Sequence, residues 1–116
     1  ITEGMGGSYT FKYIKGFIPT INAPDEFAIV HNTAHDLLGH ENVIIPDKVA
    51  MTGEDFSFFA KEIPCAFYWL GCQQPNLPFY QLHSKHFAPD ETSMKAGIKV
   101  MFSSAIAYLA QAEEMA

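Results

Sequence analysis

The chain has 116 residues, of which 48% are hydrophobic and 14% aromatic, so it can form one domain with a hydrophobic core and is neither disordered nor fibrous. Seven basic against thirteen acidic residues give a formal net charge of −6, which argues against a nucleic-acid partner and an anionic membrane surface, because both attract clustered cations. The sequence has no apolar stretch of about 18 residues, so it predicts a soluble protein without a membrane span.

Residues 1–22 form a first predicted unit. Gly4, Gly6 and Gly7 interrupt any helix, and residues 9–13 (YTFKY) then alternate aromatic with polar side chains, as a half-buried strand does. The three aromatic side chains on one face of this strand need a covering layer. Either the rest of the chain covers them, or a segment outside it does.

The next part of the chain predicts a helix, a strand and a second helix. Pro24 suits the first turn of a helix, and Gly39 fits its end, after an apolar stripe at helical spacing. Residues 42–46 predict a short strand, continued or restarted at residues 48–51. A short helix is expected over residues 54–63.

The second half predicts a buried strand, a loop and a long helix. Residues 65–70 (CAFYWL), closed by Gly71, are apolar on both faces, which is typical of a strand buried between two layers of helices. Residues 73–81 contain two prolines and predict a loop, and residues 89–91 (PDE) open a last helix with one long apolar stripe. Together these elements predict an α/β fold, a sheet flanked by helices, with the last helix lying across the sheet.

Cys65 and Cys72 are the two cysteines, and they flank the predicted buried strand. An extended chain of that length would hold them about 23 Å apart, which is too far for a disulfide. Both are therefore expected to be reduced, and this favours a cytoplasmic location.

Two short segments carry the candidate chemistry. Glu54 and Asp55 follow a glycine at a predicted strand-to-helix turn. Carboxylates there stabilise exposed helix amides, but ligands also bind at such turns at the end of a sheet. His83 follows the proline-containing loop and either has a structural role or offers a neutral imidazole to zinc, manganese or nickel. His86, three residues on in an irregular segment, need not point the same way.

Three more histidines belong to the first predicted helix and its end. His31 and His35 are four residues apart, the spacing at which two histidines can share a zinc ion. Asn32 stands where the zinc-protease motif needs a glutamate, and both histidines lie at the edge of the apolar stripe, which favours a solvent-facing pair. His40, just past the predicted helix end, is placed for a favourable interaction with the helix dipole.

Four segments in chain order carry a family resemblance: residues 51–59 (MTGEDFSFF), 63–64 (IP), 67–71 (FYWLG) and 82–87 (LHSKHF). Together they resemble the C-terminal part of the metal-dependent amidohydrolase and metallopeptidase family that includes hippurate hydrolase, N-acetyldiaminopimelate deacetylase and the plant hydrolases of indole-acetyl-amino acids. Residues 19–22 (PTIN), followed by an acidic helix start, resemble the family's return from its inserted lid domain into its catalytic domain.

The resemblance implies a domain organisation. Residues 1–22 would be the tail of an inserted α/β lid domain, ending in its last strand, and this lid also forms a homodimer in the family. Residues 23–116 would be the C-terminal part of a zinc-peptidase-like catalytic domain.

The resemblance also implies an activity of the aminoacylase type, in which metal-activated water hydrolyses the amide bond of an N-acyl amino acid or small peptide. The full protein would hold two divalent ions, Mn, Zn or Ni. Carried over by position, His83 matches the family's last metal ligand, and the residues matching the lining of the site are Gly53, Glu54, Asp55, Phe56 and Asn22.

The family's other metal ligands and its general base come from the N-terminal two thirds, so no catalytic residue is expected in this chain. The chain alone is therefore predicted to be inactive and to bind neither of the two metal ions. The alternative is a non-catalytic α/β dimerisation or interaction module, in which His83 is structural and Glu54 and Asp55 only start a helix.

Overall fold

The computed structural model describes residues 1–114. Within this range it has three α-helices, α1 (Pro24–Leu38), α2 (Phe56–Glu62) and α3 (Ser93–Glu114), and two single 3-10 turns at Glu3–Met5 and His40–Asn42. No helix in the described range combines the length and the apolar character needed to cross a membrane.

Helix α1 follows the sequence signals at both of its ends. Pro24 occupies the first turn, and Asp25 and Glu26 lie where their charges complement the helix dipole. Gly39 ends the helix with a φ of 85°, and its N–H donates to the His35 carbonyl at 2.9 Å. A positive φ is easy for glycine because it has no Cβ. The predicted helix from Pro24 to Gly39 is confirmed.

Helix α3 begins behind an aspartate cap. The Asp90 carboxylate accepts hydrogen bonds from the Thr92 N–H at 2.9 Å and from the Thr92 hydroxyl at 2.8 Å. These bonds hold the pKa of the Asp90 carboxyl below its ordinary value. The hydroxyl of Ser93 donates to the Asp90 carbonyl at 2.6 Å. The predicted last helix is confirmed, and it begins just after the segment predicted to open it.

The predicted α/β fold, a sheet flanked by helices, is wrong for the structure observed. The one sheet-type pairing within residues 1–114 is an isolated antiparallel bridge between Gln73 and Pro89. A strand needs a neighbouring backbone to accept and donate its hydrogen bonds, whatever its own side-chain pattern. Apart from Asn42, which ends the second 3-10 turn, the segments predicted as strands run without regular secondary structure. They are residues 9–13, which include the predicted last lid strand, 42–46, 48–51 and 65–70.

The segment of residues 65–71 is nevertheless held on two sides. The Ala23 N–H donates to the Cys65 carbonyl at 2.9 Å, just ahead of α1. On the α3 side, the Tyr68 hydroxyl lies 3.5 Å from the Gly97 carbonyl, and burial raises the pKa of the Tyr68 phenol above its ordinary value. A Cβ at Gly97 would approach a Leu70 methyl to 2.8 Å. The small residue in α3 therefore lets Leu70 pack closely against the helix.

Helices α1 and α3 pack against each other, and among the residues whose burial is described the buried hydrophobic ones are Ala34 in α1 and Val100 in α3. The Cα radius of gyration is 20.2 Å, whereas a compact domain of about 100 residues has a value of about 13 Å. Many large apolar side chains are therefore exposed, including Tyr9, Phe11 and Tyr13 at 69%, 76% and 74%.

Candidate active site

The loop that carries His83 is closed at its base. Gln73 and Pro89 form the antiparallel bridge, and the Asp90 N–H donates to the Cys72 carbonyl at 2.7 Å. The Gln74 side-chain amide also donates to the Ala88 carbonyl at 3.4 Å. Residues 73–89 therefore leave and return at one place, next to the start of α3.

His83 lies in a strained turn within this loop. The Ser84 N–H donates to the Gln81 carbonyl at 3.1 Å, which closes a four-residue β-turn with His83 at its third position. The φ of His83 is 67°, and it is the one non-glycine residue of the described chain with a positive φ. That position of a turn with positive φ is normally taken by glycine or asparagine. The turn therefore holds His83 in a left-handed conformation that costs energy for a residue with a Cβ.

A second turn follows at once and fixes the other side of His83. The Ser84 carbonyl accepts from the Phe87 N–H at 3.0 Å, and the Ser84 hydroxyl accepts from the His86 N–H at 3.2 Å. The His86 ring packs against Tyr80, with ring centroids 5.3 Å apart. His86 and His83 are both exposed to solvent, and of the two His86 has an aromatic partner within the loop.

The acidic turn at residues 53–56 caps helix α2. The Glu54 carboxylate accepts a hydrogen bond from the Phe56 N–H at 3.2 Å, and the Glu54 carbonyl accepts from the Ser57 N–H at 3.1 Å. Ser57 is fully buried, while Asp55 is exposed. A Cβ on Gly53 would collide with the Phe17 ring. The close approach of Phe17 therefore requires glycine at this position.

Both polar atoms of the Asn22 side-chain amide form hydrogen bonds with the backbone of Phe67. Its Nδ2 donates to the Phe67 carbonyl at 2.9 Å, and its Oδ1 accepts from the Phe67 N–H at 2.8 Å. The Phe67 ring contacts Phe56 at a centroid distance of 5.3 Å and meets Trp69 edge-on at 5.6 Å. The structure thus brings Asn22 and the turn at residues 53–56 together through Phe67, which the sequence analysis did not single out.

A cavity of about 380 Å³ connects this aromatic group to the histidine loop. Its lining includes Trp69 and, from the histidine loop, Leu82 and Phe87, and we name it the Trp69 cavity. His83, Asn22 and residues 53–56 are not among the residues that line it. The predicted site residues therefore fall into two groups, Asn22 with residues 53–56, which meet at Phe67, and His83 in its loop.

The donor set limits what His83 can do for a metal ion. An exposed imidazole on a turn fixed by three hydrogen bonds fits the role of one metal ligand. In the described part of the chain, no three His, Cys, Asp or Glu side chains are arranged to hold an ion together. His83 therefore fits a metal centre as one ligand among several.

A second group of titratable side chains lies along α1. The His31 and His35 rings are 4.1 Å apart between centroids, and the His35 and His40 rings are 4.2 Å apart. Partial desolvation lowers the pKa of His35 below its ordinary value, His31 and His40 lower it further, and Asp36 opposes the shift. The predicted solvent-facing pair is thus a row of three neighbouring imidazoles, named the histidine row below.

Comparison with known proteins identifies the family. The sequence model of Peptidase family M20/M25/M40 matches residues 4–107 of the chain. The chain therefore belongs to this family, which confirms the resemblance carried by residues 51–59, 63–64, 67–71 and 82–87. No solved structure matches the chain significantly.

Three relatives show how much of the family's length the chain represents. It is 31% identical over 107 residues to N-acetyldiaminopimelate deacetylase from Enterococcus faecalis, covering 87% of this chain and 26% of that protein. It is 41% identical over 70 residues to the protein of the same name from Brevibacillus brevis, covering 60% and 17%. It is 34% identical over 92 residues to IAA-amino acid hydrolase ILR1-like 6 from Arabidopsis thaliana, covering 78% and 20%. The chain thus spans about a quarter or less of the length of these relatives.

Proposed function

We propose that this chain is the C-terminal part of a metal-dependent amidohydrolase that hydrolyses the amide bond of N-acyl amino acids or small peptides. Its membership of Peptidase family M20/M25/M40 supports this proposal. So do relatives named for deacetylation of N-acetyldiaminopimelate and hydrolysis of IAA-amino acids. The exposure of most large apolar side chains favours a chain that packs against further protein, since monomers rarely leave such surfaces open.

The backbone conformation of His83 is the main observation that supports its proposed role as a metal ligand. A histidine at φ 67° costs energy that glycine would not, and two successive turns maintain it. Strained non-glycine residues cluster at functional sites, where the strain fixes the direction of a side chain. His83 is accordingly one metal ligand, and its turn sets the orientation of the imidazole before any ion binds.

The remaining site residues form the wall around the acyl amino acid. The turn at residues 53–56 provides the Glu54 and Asp55 carboxylates and the Phe56 ring, and Asn22 fixes the backbone of Phe67 beside them. Glu54 is engaged in capping α2, which leaves Asp55 as the exposed carboxylate of this wall. The Trp69 cavity, whose lining is largely apolar and includes Leu82 and Phe87 of the histidine loop, is the space proposed for an apolar acyl group.

The metal centre in the full protein comprises two divalent ions, Mn, Zn or Ni, and its other ligands and general base lie outside this chain. When bound, such ions polarise a carbonyl and lower the pKa of a bound water. What this chain contributes is a fixed imidazole, a shaped apolar cavity and a capped acidic turn. The chain alone is inactive on this proposal.

The proposed division of the chain places the lid tail at residues 1–22 and the catalytic part at residues 23–116, of which residues 115–116 lie outside the described range. Asn22 stands at this junction. The exposed aromatic side chains of Tyr9, Phe11 and Tyr13 favour an interaction surface on the lid side, so the full protein is a homodimer joined through its lid.

The test is to express the protein from its complete reading frame and measure hydrolysis of N-acetyl amino acids together with bound metal by mass spectrometry. Two variants separate the ligand from the turn, because His83→Gly relieves the positive φ and His83→Asn tolerates it, while both remove the imidazole. Both should lose bound metal and reduce kcat/KM at least about 100-fold. Losing a residue that only hydrogen-bonds a metal ligand costs up to about 100-fold, so losing the ligand itself should cost at least as much.

The opposite pattern would refute the role of His83. If His83→Gly keeps both activity and metal content, the histidine only occupies the turn. His86→Gln is the matched control, because it removes an imidazole from the same loop without touching the strained turn, and it should retain activity. A complete reading frame that adds no further His, Asp, Glu or Cys ligands would contradict the hydrolase proposal as a whole.

A further inference from the structure

The histidine row on α1 has a geometry that packing alone does not require. His31 and His35 are four residues apart on one helix, so they share a face one turn apart. Their ring centroids lie 4.1 Å from each other. Like charges four residues apart on a helix are unfavourable when both are protonated, so this arrangement suits two neutral imidazoles or two imidazoles held by a cation.

The two rings are close enough to reach one ion after a modest rearrangement. Nitrogen ligands bind zinc at about 2.0–2.1 Å, so two imidazoles on one tetrahedral ion have ring centroids about 5 Å apart. The centroids of His31 and His35 are 4.1 Å apart, so the rings must separate by about 1 Å and turn their nitrogens toward a common point. Because both residues belong to the 15-residue helix α1, the backbone that carries them is ordered before binding.

The His31 ring has a close neighbour on two sides. Its Nδ1 lies 3.5 Å from the Oδ1 of Asn32. Histidine ligands of metal ions commonly donate their other ring N–H to an oxygen, and a proton on Nδ1 would leave the Nε2 lone pair for an ion. The Phe27 ring stacks on His31 at a centroid distance of 5.3 Å and restricts its rotation.

We propose that His31 and His35 form a chelate for a divalent transition-metal ion on the surface of α1, separate from the hydrolase centre. In the described range no third protein ligand is arranged to join them, so water completes the coordination and the ion exchanges freely. His40 contacts His35 at 4.2 Å from beyond the helix end and is not part of the chelate. The net charge of −6 favours cation binding in general.

A site with two imidazoles has a defined metal preference. Imidazole suits Ni²⁺, Cu²⁺ and Zn²⁺, whereas Mn²⁺ is the weakest binder of the first-row series. The chelate should therefore bind Cu²⁺ more tightly than Ni²⁺ and leave Mn²⁺ unbound at the same concentration. A carboxylate site would not show this order as steeply, since carboxylate oxygens suit Mn²⁺.

The test uses the full 116-residue chain, purified without a histidine tag, with Ni²⁺ and Mn²⁺ as probes in calorimetric titrations. His31→Gln and His35→Gln should each weaken Ni²⁺ binding at least about tenfold, since they remove a ligand and not merely an outer-shell partner. His40→Gln and His86→Gln should leave it within about threefold, which is under 0.7 kcal/mol by RT ln K. Ni²⁺ should also raise the helix content in far-UV circular dichroism, because chelation across one turn stabilises α1.

A permuted variant keeps the assay decisive if single substitutions disturb the helix. The double variant His31→Thr with Thr33→His has the same composition, but it places the two imidazoles two residues apart, where helix side chains do not face each other. It should bind Ni²⁺ like His31→Gln. Equal binding by the permuted variant, loss of binding in His86→Gln, or Mn²⁺ binding as tight as Ni²⁺ would each overturn the proposal.

Discussion

Removing the Asn22 amide should detach the segment of residues 65–71 from the start of α1. Both polar atoms of the side chain are bonded to the Phe67 backbone, at 2.9 and 2.8 Å, in a partly buried position. A hydrogen bond of this kind contributes about 0.5–1.5 kcal/mol net, so Asn22→Ala should lower the free energy of unfolding by about 1–2 kcal/mol after allowing for the access of water. At a urea m-value of about 2 kcal/mol/M, the midpoint falls by about 0.5–1 M.

Trp69 is the natural reporter for this experiment, because it is the one tryptophan of the chain and meets the Phe67 ring edge-on at 5.6 Å. Its fluorescence in a urea titration gives the midpoint for the Asn22→Ala variant. Asn42→Ala is the matched control. It also removes an amide that donates to a backbone carbonyl, that of Leu38 at 2.7 Å, but in an exposed position where water replaces the bond. If Asn22→Ala shifts the midpoint no more than Asn42→Ala does, Asn22 does not anchor the segment.

Two further outcomes follow from α3. Because the folded-state pKa of Asp90 is lowered by its bonds to Thr92, its stabilising effect is present above the ordinary pKa and is lost as pH falls through the lowered one. Helix content followed by circular dichroism between about pH 5 and about pH 1 should therefore fall less in Asp90→Asn than in the unmodified chain. In a Leu70→Ala background, Gly97→Ala should raise the free energy of unfolding by about 1 kcal/mol, because alanine has the higher helix propensity. It should stabilise the unmodified chain less, since the new Cβ approaches a Leu70 methyl to 2.8 Å. A double-mutant cycle in urea measures that difference, and exact additivity would contradict the contact.

The helices could be predicted because their signals are local. Pro24 and Gly39 bracket α1 within a few residues of its ends, and Asp90 caps α3 through the next two residues of the chain. Each of these contacts depends on residues that are neighbours in the sequence. Both partners of each interaction are therefore identifiable from a short stretch of sequence.

The strands could not be predicted in the same way because a strand requires a distant partner. The apolar pattern of residues 65–70 specifies what its two faces could contact, but not which backbone would pair with its edges. In the structure the bonds to Cys65 and Phe67 come from Ala23 and from the Asn22 side chain, more than forty residues earlier in the chain. A side-chain amide there provides the donor and acceptor that a neighbouring strand would otherwise provide.

The candidate site also has a part that local sequence signals predict and a part that depends on long-range contacts. The family motifs located Asn22, the turn at residues 53–56 and His83, but no local propensity predicts a left-handed histidine at a position where turns normally have glycine or asparagine. The apolar pattern places Phe67 and Trp69 in a predicted strand, whereas in the structure their rings connect the acidic turn to the cavity beside the histidine loop. The predicted site residues were thus visible as motifs in the sequence, and the residues that fix their positions became visible only through long-range contacts. If Asn22 and the histidine loop are coupled through Phe67 and Trp69, Asn22→Ala should make the loop around His83 more flexible. Amide hydrogen exchange at Ser84 and Phe87 measures this flexibility, because their N–H groups close the two turns.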